Sequence, residues 1–220
     1  MAREIVRVIV GPIQCNCYIV SDAVSRQAYL IDPGAETRDL MVYLRNSKLE
    51  LQGILITHGH LDHVGGIEMV LATYQAPVYY HAADMPLYLH LDVQAESMGF
   101  QLKDLEARQP AVGEPTLQEH REFDFSAGKV QVLHTPGHTP GSVCFYSEGE
   151  ESIVFSGDTL FAGSIGRTDL WGGSFPQIMD SIRTRLLKLP DHVRVLPGHG
   201  DFTTIGNERT TNPFIRGYAY

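Results

Sequence analysis

At 220 residues, with 43% hydrophobic and 20% charged content, the chain can bury a substantial core and has the composition of an ordinary globular protein. No run approaches the roughly 18 consecutive apolar residues of a membrane span. The opening Met1-Ala2-Arg3-Glu4-Ile5 lacks the apolar stretch of a secretory leader, so a cytoplasmic protein with no membrane partner is expected. A formal charge of −9 without a basic face excludes nucleic acid as a partner.

Taken in chain order, Ile5 to Val10, Cys17 to Val20 and Gln27 to Ile31 read as strands, and Asp32-Pro33-Gly34 stops the third. Glu36 to Lys48 has helical spacing, with Leu40, Met41 and Leu44 on one face and an acid-to-base gradient that suits the helix dipole. Gly53 to Thr57 is a buried-type strand, and Ile67, Val70, Leu71 and Tyr74 resume helical spacing. Pro77 to Tyr80 returns to strand, Ala82 to Met98 reads as one helix, and a polar loop runs through Pro110 and Pro115. Val130 to His134, Val143 to Tyr146 and Ile153 to Phe155 are strands. Ser174 and Gln177 form a capping-box pattern ahead of a helix faced by Ile178, Ile182, Leu186 and Leu189, and Val193 to Leu196 is the last strand. No internal repeat is present, only a weak two-half character in which each half has strands and helices. Cys15, Cys17 and Cys144 cannot form a disulfide framework and are expected as small buried side chains.

The most informative stretch is Thr57-His58-Gly59-His60-Leu61-Asp62-His63, which packs four metal-capable side chains into six positions. Imidazole with carboxylate is the donor chemistry of Zn(II), Fe(II) or Mn(II). In extended chain His58 and His60 point the same way, and Asp62 with His63 can turn towards a second ion. Three further strand ends follow the same grammar of apolar strand, glycine and metal-capable side chain: Thr135-Pro136-Gly137-His138, Ser156-Gly157-Asp158 and Pro197-Gly198-His199. Ligand sites in layered α/β proteins gather at the carboxyl ends of strands, so four strand ends can bring seven donors to one centre. One Gly-His turn alone would be ordinary turn chemistry.

His58-x-His60-x-Asp62-His63, followed by His138, Asp158 and His199 in these contexts, resembles the metallo-β-lactamase superfamily over nearly the whole chain. The resemblance implies an α/β fold, a four-layer αββα sandwich forming a single domain over residues 1–220. It implies that two divalent metal ions bind per chain, zinc first and iron or manganese also suitable. His58, His60 and His138 would hold one ion and Asp62, His63 and His199 the other, with Asp158 bridging them through its two oxygens. Two such ions supply hydroxide near neutral pH and polarise a carbonyl. Asp62 is then also the catalytic carboxylate, placed to orient the nucleophile or take its proton.

Within the superfamily, Thr135 to Ser142 and Gly157 to Phe161 look most like the glyoxalase II group, hydroxyacylglutathione hydrolases that split S-D-lactoylglutathione into D-lactate and glutathione. The expected partner is therefore a small-molecule thioester. The short tail after His199 leaves no room for that group's C-terminal helical glutathione-binding domain. Arg167 matches a basic residue that contacts the glutathione carboxylate in the family. Tyr18, Phe161 and Trp171 are candidates for the pocket wall, although core packing is the plainer role for each. β-Lactam hydrolysis is disfavoured, because β-lactamases of the best-known type carry cysteine at the position of Asp158. The competing reading comes from Gly166-Arg167-Thr168-Asp169, which resembles the persulfide dioxygenases. These use a single Fe(II) bound at the positions of His58, His138 and Asp158. A non-catalytic metal-binding module is a third class, but seven donors for two ions leave coordination positions open. His134 is a candidate to orient a ligand, and His81, His90, His120 and His192 have no such context. Nothing in the sequence signals an oligomeric state.

Overall fold

A computed structural model describes residues 3–99, 117–125, 128–149 and 151–217. The chain divides into two compact units: Met1–Thr116 with Phe125–Ala127, and Leu117–Asp124 with Gly128–Tyr220. Each has its own sheet and helices, as the two-half character of the sequence suggests. The loop expected through Pro110 and Pro115 lies outside the described residues.

The first unit builds its sheet from β1 (Arg3–Val10), β2 (Cys15–Asp22), β3 (Gln27–Ile31), β4 (Glu50–Leu55) and β5 (Val78–Tyr79), in that spatial order. β1, β2 and β3 are antiparallel, whereas β3, β4 and β5 run parallel. The parallel step from β3 to β4 requires a crossover, and α1 (Arg38–Ser47) supplies it. Leu40 and Leu44 are buried, Asp39 and Arg45 suit the two ends of the dipole, and Lys48 at φ 50° ends the helix in the left-handed region. Every residue of β2 is buried, as befits a strand covered on both faces. Ile19, Leu30, Leu44, Ile54 and Val70 belong to the core of this unit.

The helices that follow are short: α2 (Leu61–Val64), α3 (Ile67–Leu71), α4 (Met85–Tyr88) and α5 (Leu91–Ser97). The single helix expected from Ala82 to Met98 is instead a 3₁₀ turn at Ala82–Asp84 followed by α4 and α5. Pro86 has no amide hydrogen and suits only a first turn, so it restarts the helix. His90, at φ −128° and ψ 40°, then leaves the helical region before α5.

The second unit contains β6 (Glu122–Phe125), β7 (Gly128–His134), β8 (Val143–Ser147), β9 (Ile153–Gly157), the hairpin β10 (Leu160–Phe161) and β11 (Ser164–Ile165), α6 (Phe175–Thr184), β12 (Arg194–Pro197), β13 (Thr203–Thr204), α7 (Ile205–Thr211) and α8 (Pro213–Gly217). Its main sheet has the order β13-β12-β9-β8-β7-β6, with β12 parallel to β9. The crossover from β9 to β12 carries α6, a strand–helix–strand step between parallel neighbours like those from β3 to β4 and from β4 to β5 in the first unit. Ile178 and Ile182 of α6 are buried with Leu186 on the 3₁₀ turn that follows. Ser174 occupies the N-cap in extended conformation, but its side chain makes no cap hydrogen bond, so the capping box is not formed. Pro176 in the first turn provides the start signal instead. The expected last strand is followed by β13, α7 and α8.

Cys15, Cys17 and Cys144 are buried free thiols. Burial is the main cause of their raised pKa values: Cys15 is pushed up to about 12, Cys144 to about 11 and Cys17 well above its ordinary value. A group whose folded pKa is raised contributes fully below its unfolded value and loses that contribution as pH rises through the folded one. Melting temperature is therefore expected to be flat through neutral pH and to fall progressively above about pH 9. Replacing Cys17 with alanine should flatten that alkaline limb, as thermal melts between pH 7 and 11 would register.

Candidate metal centre

In the first unit, β3 ends at Asp32, a buried residue in the left-handed region at φ 51°. Its Oδ1 accepts the Thr57 backbone N–H at 2.8 Å, and its Oδ2 accepts the Thr57 hydroxyl at 2.6 Å. The same Oδ2 accepts from His63 Nδ1 at 2.9 Å. A carboxylate only accepts, so Nδ1 of His63 carries the proton and Nε2 presents its lone pair. Thr57 has committed its hydrogen to Asp32, so its oxygen accepts from His58 Nδ1 at 3.0 Å. One carboxylate thus fixes two imidazoles, directly and through a hydroxyl, in the tautomer whose proton sits on Nδ1.

The ligand run changes conformation midway. His60 is the N-cap of α2, so Asp62 and His63 sit on a helical turn, where the sequence suggested only a bend. Donor atoms of His58 lie within 4.8 Å of those of His60 and of His63. The His58 and His63 rings approach to 4.0 Å between centroids. Asp62 Oδ2 stands 3.7 Å from His63 Nε2. Residues far along the chain pin the run: Asp84 Oδ2 accepts from Gly59 N at 2.8 Å, and Gln94 Oε1 accepts from Leu61 N at 2.9 Å. Gln94 Nε2 also donates to the Gly59 carbonyl at 3.2 Å. Cys15 Sγ lies 3.7 Å from His63 Nδ1, a thiol neighbour that the sequence did not suggest.

In the second unit, His138 Nδ1 donates to the Arg167 carbonyl at 2.7 Å, again placing the proton on Nδ1. His138 Nε2 lies 3.6 Å from Asp158 Oδ2, and His199 Nε2 lies 3.7 Å from the same oxygen. Both nearest approaches fall on Oδ2, whereas the expectation assigned one carboxylate oxygen to each ion. Donors that each sit about 2.0–2.2 Å from a shared cation stand at separations of this order, so neutral imidazoles and a carboxylate in this arrangement fit a divalent ion. Beneath the ligand turns runs a buried chain. Thr135 Oγ1 meets Thr159 Oγ1 at 3.0 Å and Cys144 Sγ at 3.3 Å, and Cys144 Sγ donates to the Ser156 carbonyl at 3.5 Å.

His134 Nε2 meets the Pro140 carbonyl at 3.0 Å and staples the loop that carries His138. Arg167 is exposed, and its guanidinium is held by Asp169 through two bonds of 2.8 and 2.9 Å. The hydrogen bond from Arg167 draws the Asp169 carboxyl down to about 2. Of the three aromatic candidates, Tyr18 is buried in the core and Trp171 is exposed, so core packing does not describe Trp171. Phe161 meets the His199 ring edge-on at 6.3 Å.

Sequence reasoning named the candidate donors in both units and did not name the groups that hold them in place: Asp32, Thr57, Asp84, Gln94 and the Arg167 carbonyl. Asp32 did carry a signal. It is a metal-capable residue at a strand end, like the others, but it lacks the glycine before it.

Residues 10–199 match the metallo-beta-lactamase superfamily. The chain belongs to that family. Among curated relatives it is 37% identical to a probable metallo-hydrolase YqgX of Bacillus subtilis, over 97% of this chain and 98% of the relative. It is also 37% identical to a hydroxyacylglutathione hydrolase GloC of Haemophilus influenzae, over 92% of this chain and 93% of the relative. Similar solved structures include TTHA1623 in a di-iron-bound form, with a TM-score of 0.83, 40% identity, and coverage of 95% of this chain and 99% of that one. The BLEG-1 B3 metallo-beta-lactamase has a TM-score of 0.83 and 35% identity, covering 96% of this chain and 99% of that one. ETHE1 from Myxococcus xanthus has a TM-score of 0.77 and 26% identity, covering 97% of this chain and 85% of that one. The mixed sheet-and-helix architecture is the metallo-β-lactamase fold, and the chain is a metal-binding metallo-hydrolase of this superfamily. No helix among the described residues is long and apolar enough to cross a membrane.

Proposed function

We propose that the chain hydrolyses a glutathione thioester of the S-D-lactoylglutathione type, using two divalent ions held by His58, His60 and His138 on one side and Asp62, His63 and His199 on the other, with Asp158 shared. The observation that carries this reading is the state of the imidazoles. His58, His63 and His138 each commit Nδ1 to an oxygen of the protein, which leaves Nε2 as a neutral donor. Histidines arranged for packing have no need of a fixed tautomer, whereas in a metal ligand the hydrogen bond to the other ring nitrogen fixes it.

Bound there, two divalent ions supply a hydroxide nucleophile near neutral pH and polarise the thioester carbonyl. Asp62 is partly exposed beside His63, and its carboxylate is the candidate to orient the nucleophile or take its proton. Zinc suits the donor set. Iron suits it as well, in line with the similarity to TTHA1623, which was solved with two irons. The likeness to the Haemophilus hydroxyacylglutathione hydrolase supports the thioester. Arg167 is the candidate contact for a substrate carboxylate, and to serve it would have to share its guanidinium with Asp169. The partner is a small molecule in the cytoplasm, with neither nucleic acid nor membrane involved.

The persulfide dioxygenase reading rests on Gly166-Arg167-Thr168-Asp169 and is the second choice. Metal analysis with three assays separates the candidates. We expect about two metals per chain and turnover of S-D-lactoylglutathione, as for other binuclear hydrolytic sites. One iron per chain, with oxygen uptake on glutathione persulfide and no thioester turnover, would establish the dioxygenase instead. Turnover of a chromogenic β-lactam in preference to the thioester would overturn both.

A further inference from the structure

Glu208 of α7 has no exposed surface, and a buried carboxylate needs donors. It has four, all neutral. Oε2 accepts the Gly163 backbone N–H and Asn212 Nδ2, each at 2.8 Å. Oε1 accepts the Thr203 hydroxyl at 2.6 Å and Asn207 Nδ2 at 2.9 Å. Asn212 Nδ2 also donates to the Ser164 carbonyl at 3.0 Å. Three of these partners lie within a few residues of Glu208 and could serve α7 alone. Gly163 and Ser164 do not: they form the tip of the β10–β11 hairpin, 45 and 48 residues from the groups that hold them.

That hairpin begins just after Asp158 and leads out into Gly166 and Arg167. Gly166 is pressed against the ligands, since a Cβ built there would lie 1.7 Å from the Asp158 carbonyl oxygen and 3.2 Å from His138 Nδ1. Arg167 then offers its carbonyl to that same Nδ1. The hairpin is therefore tied at its tip to α7 and along its outgoing leg to Asp158 and His138.

We propose that Glu208 is a positioning residue for the metal centre: together with Asn212 it anchors the β10–β11 hairpin, and the anchored hairpin holds the Arg167 carbonyl on His138 Nδ1, fixing the tautomer whose Nε2 carries no proton. This rests on the reading of His138 and Asp158 as ligands. Glu208→Gln is isosteric, yet whichever way the amide turns it sets an NH₂ against two donors. Ile215→Ala is the matched control, because it truncates a buried apolar side chain of α8 in the core of the same unit and removes none of the hydrogen bonds that hold the hairpin.

The experiment records the ¹⁵N resonances of the imidazoles in the metal-free protein, and the zinc retained against a competing chelator. In the parent protein His138 should be the Nδ1–H tautomer. In Glu208→Gln it should become a mixture, and zinc affinity should fall about tenfold or more, the range seen when partners of metal ligands are removed. Ile215→Ala should lose comparable melting temperature while retaining both properties. Asn212→Ser, which gives up the bond to Ser164, carries the same expectation should Glu208→Gln fail to fold. A parent-like tautomer and zinc affinity in Glu208→Gln would overturn the proposal, as would losses in Ile215→Ala that track its melting temperature equally. A parent protein that takes up no zinc, but whose His138 tautomer still depends on Glu208, would instead sink the metal-centre reading and leave the positioning role standing.

Discussion

Replacing Asp158 with alanine is expected to strip the protein of metal and to lower kcat/KM at least about a thousandfold, a loss of ~4 kcal/mol in transition-state stabilisation. Asp158 Oδ2 is the atom on which His138 Nε2 and His199 Nε2 both converge, at 3.6 and 3.7 Å. Without it, those two imidazoles face each other with no anion to offset a dication. Asp158→Asn separates shape from charge. It keeps one oxygen near both nitrogens but loses the negative charge, and should retain part of the metal while losing most of the rate. Metal content by elemental analysis, alongside circular dichroism to show a native fold, decides the matter. A metal-replete and active Asp158→Ala would refute the assignment of this residue as a ligand.

The second large effect belongs to Asp32, which touches no metal. Asp32→Ala leaves three buried donors without an acceptor: the Thr57 N–H, the Thr57 hydroxyl and His63 Nδ1–H. At about 1–3 kcal/mol for each unsatisfied group, the loss is on the order of 3 kcal/mol or more, and melting temperature should fall by roughly 6–12 °C for a chain of this size. Asp32→Asn is the sharper probe. Its best orientation keeps an oxygen for the hydroxyl and the imidazole and sacrifices only the Thr57 N–H contact, so the fold should survive. The imidazoles would then lack an anionic partner, and metal affinity should drop about 10–100-fold. Because Asp32 serves His58 through Thr57 and His63 directly, metal binding at both of these histidines should weaken together. A variant that weakened only one of two binding steps would contradict that coupling.

The strands of both units were legible because their apolar runs are short, dense and punctuated. Gln27 to Ile31 matches β3 residue for residue, and the strands leading to His58, Asp158 and His199 were found within two residues of their carboxyl ends. The helices between Ala82 and Met98 were not, because the apolar spacing continues across Pro86 and His90 while the backbone does not. The capping box at Ser174 and Gln177 has the right residues at the right spacing and still forms no cap bond, so spacing alone does not make the bond.

The candidate site divides along the same line. Its candidate donors were legible in the sequence itself, because a metal-capable side chain at a strand end is a local feature: a few apolar residues, a turn, then histidine or aspartate. Which nitrogen each histidine offers was decided only by the tertiary structure. Asp32 reaches Thr57 across 25 positions and His63 across 31, and the Arg167 carbonyl reaches His138 across 29. Asp84 and Gln94 return across 25 and 33 positions to hold the turn at Gly59 and Leu61. These hydrogen bonds come from strands and helices packing side by side, and no local pattern of residues encodes that pairing. The sequence thus named the candidate donors, and folding set which ring nitrogen of His58, His63 and His138 carries the proton.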